Sequence, residues 1–495
     1  DDDDDDEGDA PAWLKGRKAQ VETPQAELEA QFEGLHAVIG AWKEGGPETE
    51  GVMLSDIQEL YTRIQTCVAA LARFRDVRHA DESRSDFLGL LGHDVGLYYG
   101  YSDFLVSMFL QMFSPGEMIE FLEANESARP VTLRVNSLRA RRRDVARSLI
   151  DRGVNLDPIK WSDVGLQVFD SSVPLGATPE YLAGQYMLQG AASFLPVMAL
   201  DPQPEELVLD MCSAPGGKTT YIAALMKNTG TLFANDVSRE RISSLAANIH
   251  RLGVKNCVIT CMDGAAIGDH VKRFDRILLD APCSGLGVIS RDPSVKVNRG
   301  LAEINRCSEM QRKLLNAAVD MVKPGGIIVY STCSVAVDEN EAVVDAVLRQ
   351  RKGLKILPVD ISFGSPGFSR YRSKRFHHSL KHSRRFYPHL HNTDGFFFVK
   401  LQYNPPPTPK GLSAPASSSS VAAAAAKKLA GKKPAGKKSF DNKRGPSRNG
   451  LPAGRGSFAK RPSREYSHNK HSPAKKSKPS FAAQRRSSNP PPHKK

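Results

Sequence analysis

The second half of the sequence predicts an α/β fold built on a doubly wound, mostly parallel sheet. Three observations support this prediction. From residue 205 onward, short apolar runs of strand length alternate with longer segments of helical periodicity. A glycine-rich turn follows the first run, and an Asp lies at or just after the end of four runs. In an open sheet of this kind, ligands bind at the carboxyl ends of the strands, near the point where the strand order reverses.

The predicted elements follow one another in βα order. The strands are Leu207–Asp210, Leu232–Asn235, Cys257–Cys261, Arg276–Leu279 and Ile327–Tyr330. The helices are Lys218–Met226, Ser238–Leu252, Leu301–Val322 and Asp338–Arg351. A turn at Asp394-Gly395 precedes a late apolar strand, Phe396–Val399, which we expect to pair antiparallel.

The first strand-to-helix turn, LVLDMCSAPGGKTT at residues 207–220, carries the strongest local signal. Free backbone N–H groups at the start of the following helix favour a nucleotide-like ligand. The turn is not a phosphate-binding P-loop, because that motif requires Gly where Cys212 stands, and the dinucleotide fingerprint GxGxxG is absent. A strand-end acid with a glycine turn suits a nucleoside without a polyphosphate, such as S-adenosylmethionine.

Polar side chains follow each of the other strands at the same edge of the predicted sheet. Asp236 lies 19 residues after Gly217, close to the spacing expected of a ribose-binding acid. Asp263 is placed to accept a hydrogen bond from an adenine amino group. Asp280 begins the sequence Asp-Ala-Pro-Cys after the fourth strand. A single strand-end Asp is as often a helix cap as a ligand, but four in consecutive units predict one nucleoside site.

Two cysteines, Cys283 and Cys333, follow neighbouring strands although 50 positions separate them. A thiolate at this edge can add to carbon 6 of a pyrimidine and make carbon 5 nucleophilic toward a sulfonium methyl group. Asp280 can then hydrogen-bond or protonate ring nitrogen 3. The alternative for a single cysteine is a small buried apolar residue. We assign that role to Cys67, Cys257, Cys261 and Cys307.

The first 200 residues predict two further regions. Residues 24–125 show helical periodicity, with Leu54, Ile57 and Leu60 among the repeating apolar positions. Pro130–Asn136 and Val164–Phe169 alternate like strands and flank a basic helix, so a small α+β unit follows. The nearby arginines can either meet phosphates or form a solvated face: Arg134, Arg139, Arg141, Arg142 and Arg143.

Composition places the basic charge at one end of the chain. The net charge of the 495 residues is +13, yet residues 403–495 alone carry +20, from 22 Lys or Arg and two acids. Seven acids begin the chain, and residues 8–402 are neutral. The Lys pairs between 427 and 438 suit nucleic-acid binding or nuclear import; a solubilising tail is the alternative. No run of 18 apolar residues predicts a membrane span.

The cysteine and histidine patterns argue against a metal site and against a disulfide framework. Seven cysteines, an odd number without paired CxxC spacing, favour a reducing compartment. Five histidines between 377 and 391 lack Cys or carboxylate partners at ligand spacing, so we expect no metal. The stretch Arg384-Arg385-Phe386-Tyr387 can grip an RNA backbone and stack bases, or it can be structural. The chain begins with Asp rather than Met, so we expect a fragment.

Several segments together resemble the Sun-type RNA cytosine-5 methyltransferases, which use S-adenosylmethionine. These are DMCSAPGGKT, NDVS, DAPCSGLG, YSTCS and the PVTLRVNSL segment of the small N-terminal domain. Variants such as VNLDPIKWS and RFYPHLHNTDGFF are similar to the nucleolar branch, which modifies large-subunit ribosomal RNA. One position departs from the family pattern: Leu286 stands where Thr is expected.

The resemblance implies a role for each matching residue. Cys333 is the nucleophile, Cys283 assists breakdown of the covalent adduct, and Asp280 completes the catalytic set. The implied cofactor contacts are Cys212, Ser213, Ala214, Pro215, Gly216, Gly217, Lys218, Asp236, Arg241, Asp263 and Asp280. No metal is implied. The fold implied for residues 201–402 is a class I Rossmann-like methyltransferase domain.

The resulting expectation is an enzyme that methylates cytosine carbon 5 in ribosomal RNA, in the nucleolus, during large-subunit assembly. Ribosomal RNA and pre-ribosomal particles are the expected partners, and a monomer is the expected state. The alternatives are an assembly factor whose RNA binding matters more than methylation, and a small-molecule methyltransferase. The predicted organisation has five parts: an acidic disordered segment (1–23), a helical region (24–127), a small α+β RNA-binding domain (128–200), the methyltransferase domain (201–402) and a disordered basic tail (403–495).

Overall fold

The computed structural model describes residues 25–46 and 56–406, all of which belong to one compact unit. The acidic segment predicted at 1–23 lies outside these ranges, and so does the predicted basic tail beyond residue 406 with its lysine pairs. Within the described ranges, no helix combines the length and the apolar character needed to cross a bilayer.

Six helices open the described chain, which confirms the helical periodicity. Three of them begin at a capping side chain: Asp56 accepts from Gln58 N, Ser83 forms a capping box with Asp86, and Ser114 accepts from Glu117 N. The helices are α1 (Gln25–Gly45), α2 (Ile57–Ala72), α3 (Phe74–Val77), α4 (Arg84–Tyr99), α5 (Asp103–Leu110) and α6 (Pro115–Glu126).

A four-stranded antiparallel sheet follows, with strand order β2-β3-β1-β4. Helix α7 covers one face, where its Val145 and Leu149 share a core with Leu133 and Val135 of β1. The predicted strands and basic helix are confirmed, whereas β2 and β4 had not been predicted. The elements are β1 (Val131–Val135), α7 (Arg142–Ile150), β2 (Val154–Pro158), β3 (Gly165–Ser171), α8 (Pro179–Leu182), β4 (Tyr186–Leu188) and α9 (Leu195–Leu200).

The buried guanidinium of Arg134 fixes the other face of this small sheet to residues 217–220, at the start of a helix in the second half of the chain. It donates to Gln189 Oε1 (2.5 Å), Thr220 Oγ1 (2.7 Å) and Gly217 O, and burial lowers its pKa to about 9. Both alternatives considered for Arg134, contact with phosphates and a solvated face, are therefore wrong, because the residue is 1% exposed. Arg139 likewise donates to backbone carbonyls, including Leu252 O.

The large sheet has the strand order β11-β14-β15-β9-β8-β5-β6-β7, and β10 also pairs with β15. Strands β5 to β9 are mutually parallel, and β15 runs antiparallel to β9, as predicted. The strands are β5 (Leu207–Asp210), β6 (Thr231–Asn235), β7 (Cys257–Thr260), β8 (Phe274–Asp280), β9 (Val322–Thr332), β10 (Leu354–Leu357), β11 (Ser365–Pro366), β14 (Arg384–Phe386) and β15 (Phe396–Tyr403); β12 (Arg370–Tyr371) and β13 (Lys374–Arg375) form a separate hairpin.

Helices cover both faces of the large sheet. The central strands carry continuous apolar runs that are buried on both faces: Ile277 and Leu279 of β8 join one core cluster and Leu278 the other. The helices are α10 (Gly217–Leu225), α11 (Arg239–Leu252), α12 (Val295–Asn298), α13 (Leu301–Met321), α14 (Glu341–Gln350) and α15 (Pro388–His391). The sheet order reverses between β5 and β8, which sets the switch point beside the glycine-rich turn.

The helical region shares one hydrophobic core with the loops that follow β8 and β9. Leu286, which is fully buried, belongs to this core together with Val335 and Ala336. From the helical side, Phe113 packs edge-on against Tyr387 with ring centroids 5.2 Å apart. Lys296 adds polar contacts to Tyr99 O (3.0 Å) and Glu126 (2.6 Å). The first six helices therefore support the loops that carry the two predicted catalytic thiols.

Candidate active site

The turn between β5 and α10 is held from the neighbouring strand. Gly216 adopts a left-handed conformation (φ 99°), and a Cβ there would come within 2.9 Å of Leu245. Asp236 accepts from Ala214 N (3.1 Å) and Ser238 N (2.9 Å), so it joins the turn to the start of α11. Arg241 pairs with Asp236 (3.3 Å) and donates to Ala214 O. The predicted residues Asp236 and Arg241 thus lie together at the back of the turn.

Asp210, at the end of β5, is buried with only part of its hydrogen-bonding capacity used. Its Oδ2 accepts from Thr219 Oγ1 (2.7 Å), whereas its Oδ1 has no partner. Burial raises the pKa of this carboxyl from 3.8 to about 7. An unsatisfied buried acceptor costs free energy, so Asp210 Oδ1 is suited to a hydrogen-bond donor that arrives with a ligand.

The carboxylate of Asp280 links the glycine-rich turn to β9. Its Oδ2 is 2.8 Å from Lys218 Nζ, and its Oδ1 accepts from Ser331 Oγ at 2.8 Å. Ser331 lies two residues before Cys333, and Asp280 three residues before Cys283. Parallel pairing of β8 with β9 brings Asp280 opposite Ser331, so the sheet register places these two side chains in contact.

A cavity of about 170 Å³ opens in front of these groups. Its lining combines the end of β4 and the segment after it with the turn and the ends of β5 and β8: Met187, Leu188, Gln189, Ser193, Asp210, Cys212, Ser213, Ala214, Pro215, Gly217, Lys218 and Asp280. Burial raises the pKa of the Cys212 thiol above its usual range, so this residue contributes an uncharged surface to the cavity. Two separate sheets therefore form one pocket.

The two predicted catalytic thiols form a pair. Cys283 Sγ lies 3.1 Å from Cys333 Sγ, and both residues are half-buried. The hydrogen bond with Cys333, followed by burial, raises the pKa of the Cys283 thiol well above its usual range. A raised pKa favours the protonated form of Cys283. The backbone fixes the pair as well, since Gly287 N donates to Cys333 O at 2.8 Å.

Other predicted residues lie away from the cavity. Asp263 caps a short helical turn through Ala265 N (3.0 Å) and pairs with Lys313 (2.8 Å), which lowers the pKa of its carboxyl. Cys67 is buried, as predicted, and Cys257 and Cys307 are half-buried. The prediction for Cys261 is wrong, because this thiol follows the edge strand β7 and is exposed.

The segment from Arg384 to Tyr387 has the structural role that we had considered as an alternative. Arg385 is fully buried and forms a two-point ion pair with Glu341 (2.6 and 2.5 Å). It also donates to Val335 O (2.9 Å), next to the Cys333 loop, and to Tyr387 OH (3.1 Å). A buried guanidinium of this kind is not available to RNA.

Among the described residues, one group of side chains has converging metal-ligand atoms: His36, His79 and Glu82. The two imidazole rings stack at 3.8 Å with an 18° angle between planes. A histidine binds a metal in the plane of its ring, and nearly parallel planes do not meet at one ion. The Nδ1 of His36 instead hydrogen-bonds Glu82 Oε1 at 2.8 Å.

Two residues of the site were missed from sequence. Gln189 joins Arg134 to the cavity, and Glu339 is a fully buried carboxylate between the two thiol loops. Glu339 belongs to the run Asp-Glu-Asn-Glu at 338–341, which we had interpreted as the start of a helix. The helix begins at Glu341 instead, because the side chains of residues 339–341 point into the interior.

Comparison with known proteins agrees with this architecture. The family model described as 16S rRNA methyltransferase RsmB/F matches residues 197–402. A second model, the ferredoxin-like domain of RsmF/B-like methyltransferases, matches residues 101–174. Over 273 residues the chain is 34% identical to the tRNA (cytosine(49)-C(5))-methyltransferase of Pyrococcus abyssi; the matched region is 55% of this chain and 87% of that protein. The chain belongs to the RsmB/F methyltransferase family.

Two further comparisons concern a human relative and a solved structure. The human 28S rRNA (cytosine(4447)-C(5))-methyltransferase is 54% identical over 362 residues, which are 72% of this chain and 44% of that protein. The chain thus spans less than half the length of this relative. A solved structure of a methyltransferase homologue from Pyrococcus horikoshii superposes with a TM-score of 0.58 at 35% identity, covering 65% of this chain and all of the other. The RsmB/F fold accounts for both sheets.

Proposed function

We propose that this chain methylates carbon 5 of cytosine in large-subunit ribosomal RNA, with S-adenosylmethionine as the methyl donor. The observation that carries the proposal is the pair of sulfur atoms 3.1 Å apart. Their cysteines follow Asp280 and Ser331 by three and two residues. Two thiols that close together, beside a nucleoside-type turn, suit a covalent cytosine mechanism better than simple RNA binding. The 54% identity to the human 28S enzyme supports large-subunit RNA as the substrate.

The residues present fit the proposed cofactor. The unpartnered Oδ1 of Asp210 matches the ammonium group of the amino-acid end, and the free N–H groups at the start of α10 lie in the same wall. Cys212 to Lys218 would line that end. We assign Asp236 to the ribose, with Arg241 supporting Asp236. Asp263 does not line the cavity, so its assignment to the adenine requires the ligand to extend beyond that lining toward the Asp263–Lys313 pair. When bound, S-adenosylmethionine supplies a methyl group on a positively charged sulfur.

Each catalytic residue has one task in the proposed reaction. The Cys333 thiolate forms a bond to carbon 6 of the cytosine, and the electron pair displaced moves toward carbon 5. Asp280, which Lys218 Nζ contacts at 2.8 Å, can hydrogen-bond ring nitrogen 3 and relay a proton from Lys218 to it, which neutralises the developing charge. The electron pair at carbon 5 takes the methyl group. Water acting as the base then removes the carbon-5 proton, the electron pair of that C–H bond restores the double bond between carbons 5 and 6, and the bond to Cys333 breaks. Cys283 gives its proton to the departing sulfur at 3.1 Å and recovers one from solvent, and the proton on ring nitrogen 3 returns to the Asp280–Lys218 pair.

The target base must leave its stack to reach Cys333, so unpaired or remodelled RNA is the expected substrate. We place this activity in the nucleolus, within pre-ribosomal particles, because large-subunit RNA is assembled there. An assembly role that depends on RNA binding alone is the competing function.

Trapping of the covalent adduct tests the proposal. Cys283→Ala should accumulate an RNA–protein adduct that survives denaturing electrophoresis, and Cys333→Ala should form none. Cys307→Ala is the matched control, with wild-type turnover. Bisulfite sequencing of ribosomal RNA should lose a signal in cells that carry Cys333→Ala. An adduct that depends on Cys283 and not on Cys333 would refute the division of roles. Normal ribosome production without the methyl mark would make scaffolding the essential function.

A further inference from the structure

A buried carboxylate joins the two loops that carry the thiols. Glu339 is fully buried, and both of its oxygens accept hydrogen bonds. Oε1 accepts from Ser284 N (2.8 Å) and from Gln311 Nε2 (3.2 Å). Oε2 accepts from Ser284 Oγ (2.5 Å) and from Ser334 Oγ (2.5 Å). The carboxylate thus makes four contacts, three of them to two serines.

The two serines are the sequence neighbours of the two thiols. Ser284 directly follows Cys283, and Ser334 directly follows Cys333. The backbone at Glu339 is itself fixed, because its carbonyl accepts from Tyr330 OH at 2.5 Å. Strand β9, which contains Tyr330, therefore holds the carboxylate, and the carboxylate holds both loops. Among the described residues, no Lys, Arg or His forms an ion pair with Glu339, so hydrogen-bond donors alone compensate its charge.

We propose that Glu339 is a positioning residue for the thiol pair: it fixes the separation of the Cys283 and Cys333 sulfur atoms by binding the residue that follows each of them. This inference rests on the proposed two-thiol reaction. It assigns to Glu339 no contact with RNA or cofactor. Removing the carboxylate should let the loops separate, and a displacement of about 1 Å at a reacting group can cost roughly 100-fold in rate.

The charge of Glu339 adds a second effect. Its negative field contributes to the raised pKa of the Cys283 thiol, after the hydrogen bond with Cys333 and burial. Other ionisable groups also surround the two loops: Cys333, Cys307, Tyr330, Arg299 and Glu303. Because Glu339 lies within hydrogen-bonding distance of both loops, its charge helps Cys283 to retain the proton that Cys333 needs on leaving the adduct.

Two substitutions separate position from charge. Glu339→Ala removes both. Glu339→Gln keeps an acceptor for Ser284 N, and its amide can donate to the serine hydroxyls, so the two loops stay joined while the charge is lost. Asp338→Asn is the matched control. It removes the adjacent carboxylate charge, and the Asp338 side chain pairs with Lys374 at 2.6 Å rather than with either serine.

The separation of the sulfur atoms can be measured in the full chain without RNA or cofactor. Phenylarsine oxide forms two As–S bonds with adjacent thiols and releases water. Mass spectrometry should find the Cys283–Cys333 bridge in the wild type, Glu339→Gln and Asp338→Asn, and roughly ten-fold less of it in Glu339→Ala. Cys283→Ser identifies the bridged pair. Equal bridging in a folded Glu339→Ala would overturn the positioning role.

The charge can be measured by alkylation of Cys283 with iodoacetamide across a pH series, in a Cys333→Ser background. Removing a negative neighbour stabilises the thiolate, so Glu339→Gln should lower the midpoint by about one pH unit, while Asp338→Asn leaves it in place. An unchanged midpoint in Glu339→Gln would reject the electrostatic effect, and this test remains available if Glu339→Ala does not fold. Wild-type protein that bridges the thiols, together with a folded Cys283→Ala variant that traps no RNA adduct, would instead refute the proposed function.

Discussion

Asp210→Asn should increase stability at alkaline pH, because the wild-type carboxylate is costly to ionise where it lies. The side chain is 1% exposed, one oxygen has no partner, and burial raises the pKa from 3.8 to about 7. A carboxyl whose folded pKa is raised favours the native state only while it is protonated. Its contribution is complete below the unfolded pKa and is lost as the pH rises through the folded value. An amide in the same place does not titrate.

The size of the effect follows from the two pKa values. One unit corresponds to about 1.4 kcal/mol, so the full penalty above pH 7 is about 4 kcal/mol. At pH 5 part of it is already present, since the unfolded carboxyl ionises near 3.8. The advantage of Asp210→Asn over the wild type should therefore grow by about 2–3 kcal/mol between pH 5 and pH 8. Thr219 Oγ1 keeps an acceptor in the variant, so the local hydrogen bond survives.

Urea denaturation of both proteins at pH 5, 6, 7 and 8 measures this difference, with the slope of the transition checked for two-state behaviour. Asp263→Asn is the control of opposite sign. Its carboxyl is half-exposed and its pKa is lowered by Lys313, so its loss should cost below about 1 kcal/mol at pH 8. Parallel stability curves for Asp210→Asn and the wild type would show that Asp210 is not forced to ionise in an apolar setting.

Two further predictions concern the helical region and the exposed arginines. Phe113→Ala, which removes a buried ring packed on Tyr387 (5.2 Å) and Phe121 (5.0 Å), should destabilise the protein by about 3–5 kcal/mol in urea denaturation. Phe169→Ala is the control, because this side chain is 57% exposed and its loss should change stability by less than about 0.5 kcal/mol. Similar losses of stability in both variants would contradict a core shared by the helical region and the thiol loops. Replacing the exposed Arg141 and Arg143 together by Gln should lower by about two the slope of log RNA affinity against log salt concentration. An unaltered slope would make this helix face a solvated surface only.

The sequence anticipated the large sheet well because parallel strands buried on both faces leave continuous apolar runs. Leu207–Asp210 was found with its bounds unchanged, and the helix predicted at Ser238–Leu252 begins one residue later, because Ser238 is its N-cap. The predicted helix boundaries were less accurate where polar side chains point into the interior: helix α14 begins at Glu341 rather than Asp338. Cys261 was predicted to be buried because it extends an apolar strand, but β7 is an edge strand and leaves it exposed.

The small strands escaped prediction for a related reason. β4 has three residues and β11 two, so neither offers a period long enough to read. Arg134 was expected either to meet phosphates or to lie on a solvated face, because a run of arginines is normally exposed to solvent. Its burial depends on Gln189, Gly217 and Thr220, which lie 55 to 86 positions away in sequence. Local pattern carries no information about such a partner.

By itself the sequence determined which residues end the strands, and therefore which side chains collect at one edge of the sheet. Short-range rules suffice for this, since strand, turn and helix signals lie within a few residues of one another. Only the tertiary structure decided that two sulfur atoms 50 positions apart lie at 3.1 Å, that Glu339 joins their loops and that six helices support them from behind. Those relations depend on the register between β8 and β9 and on packing between distant segments, which no local pattern encodes.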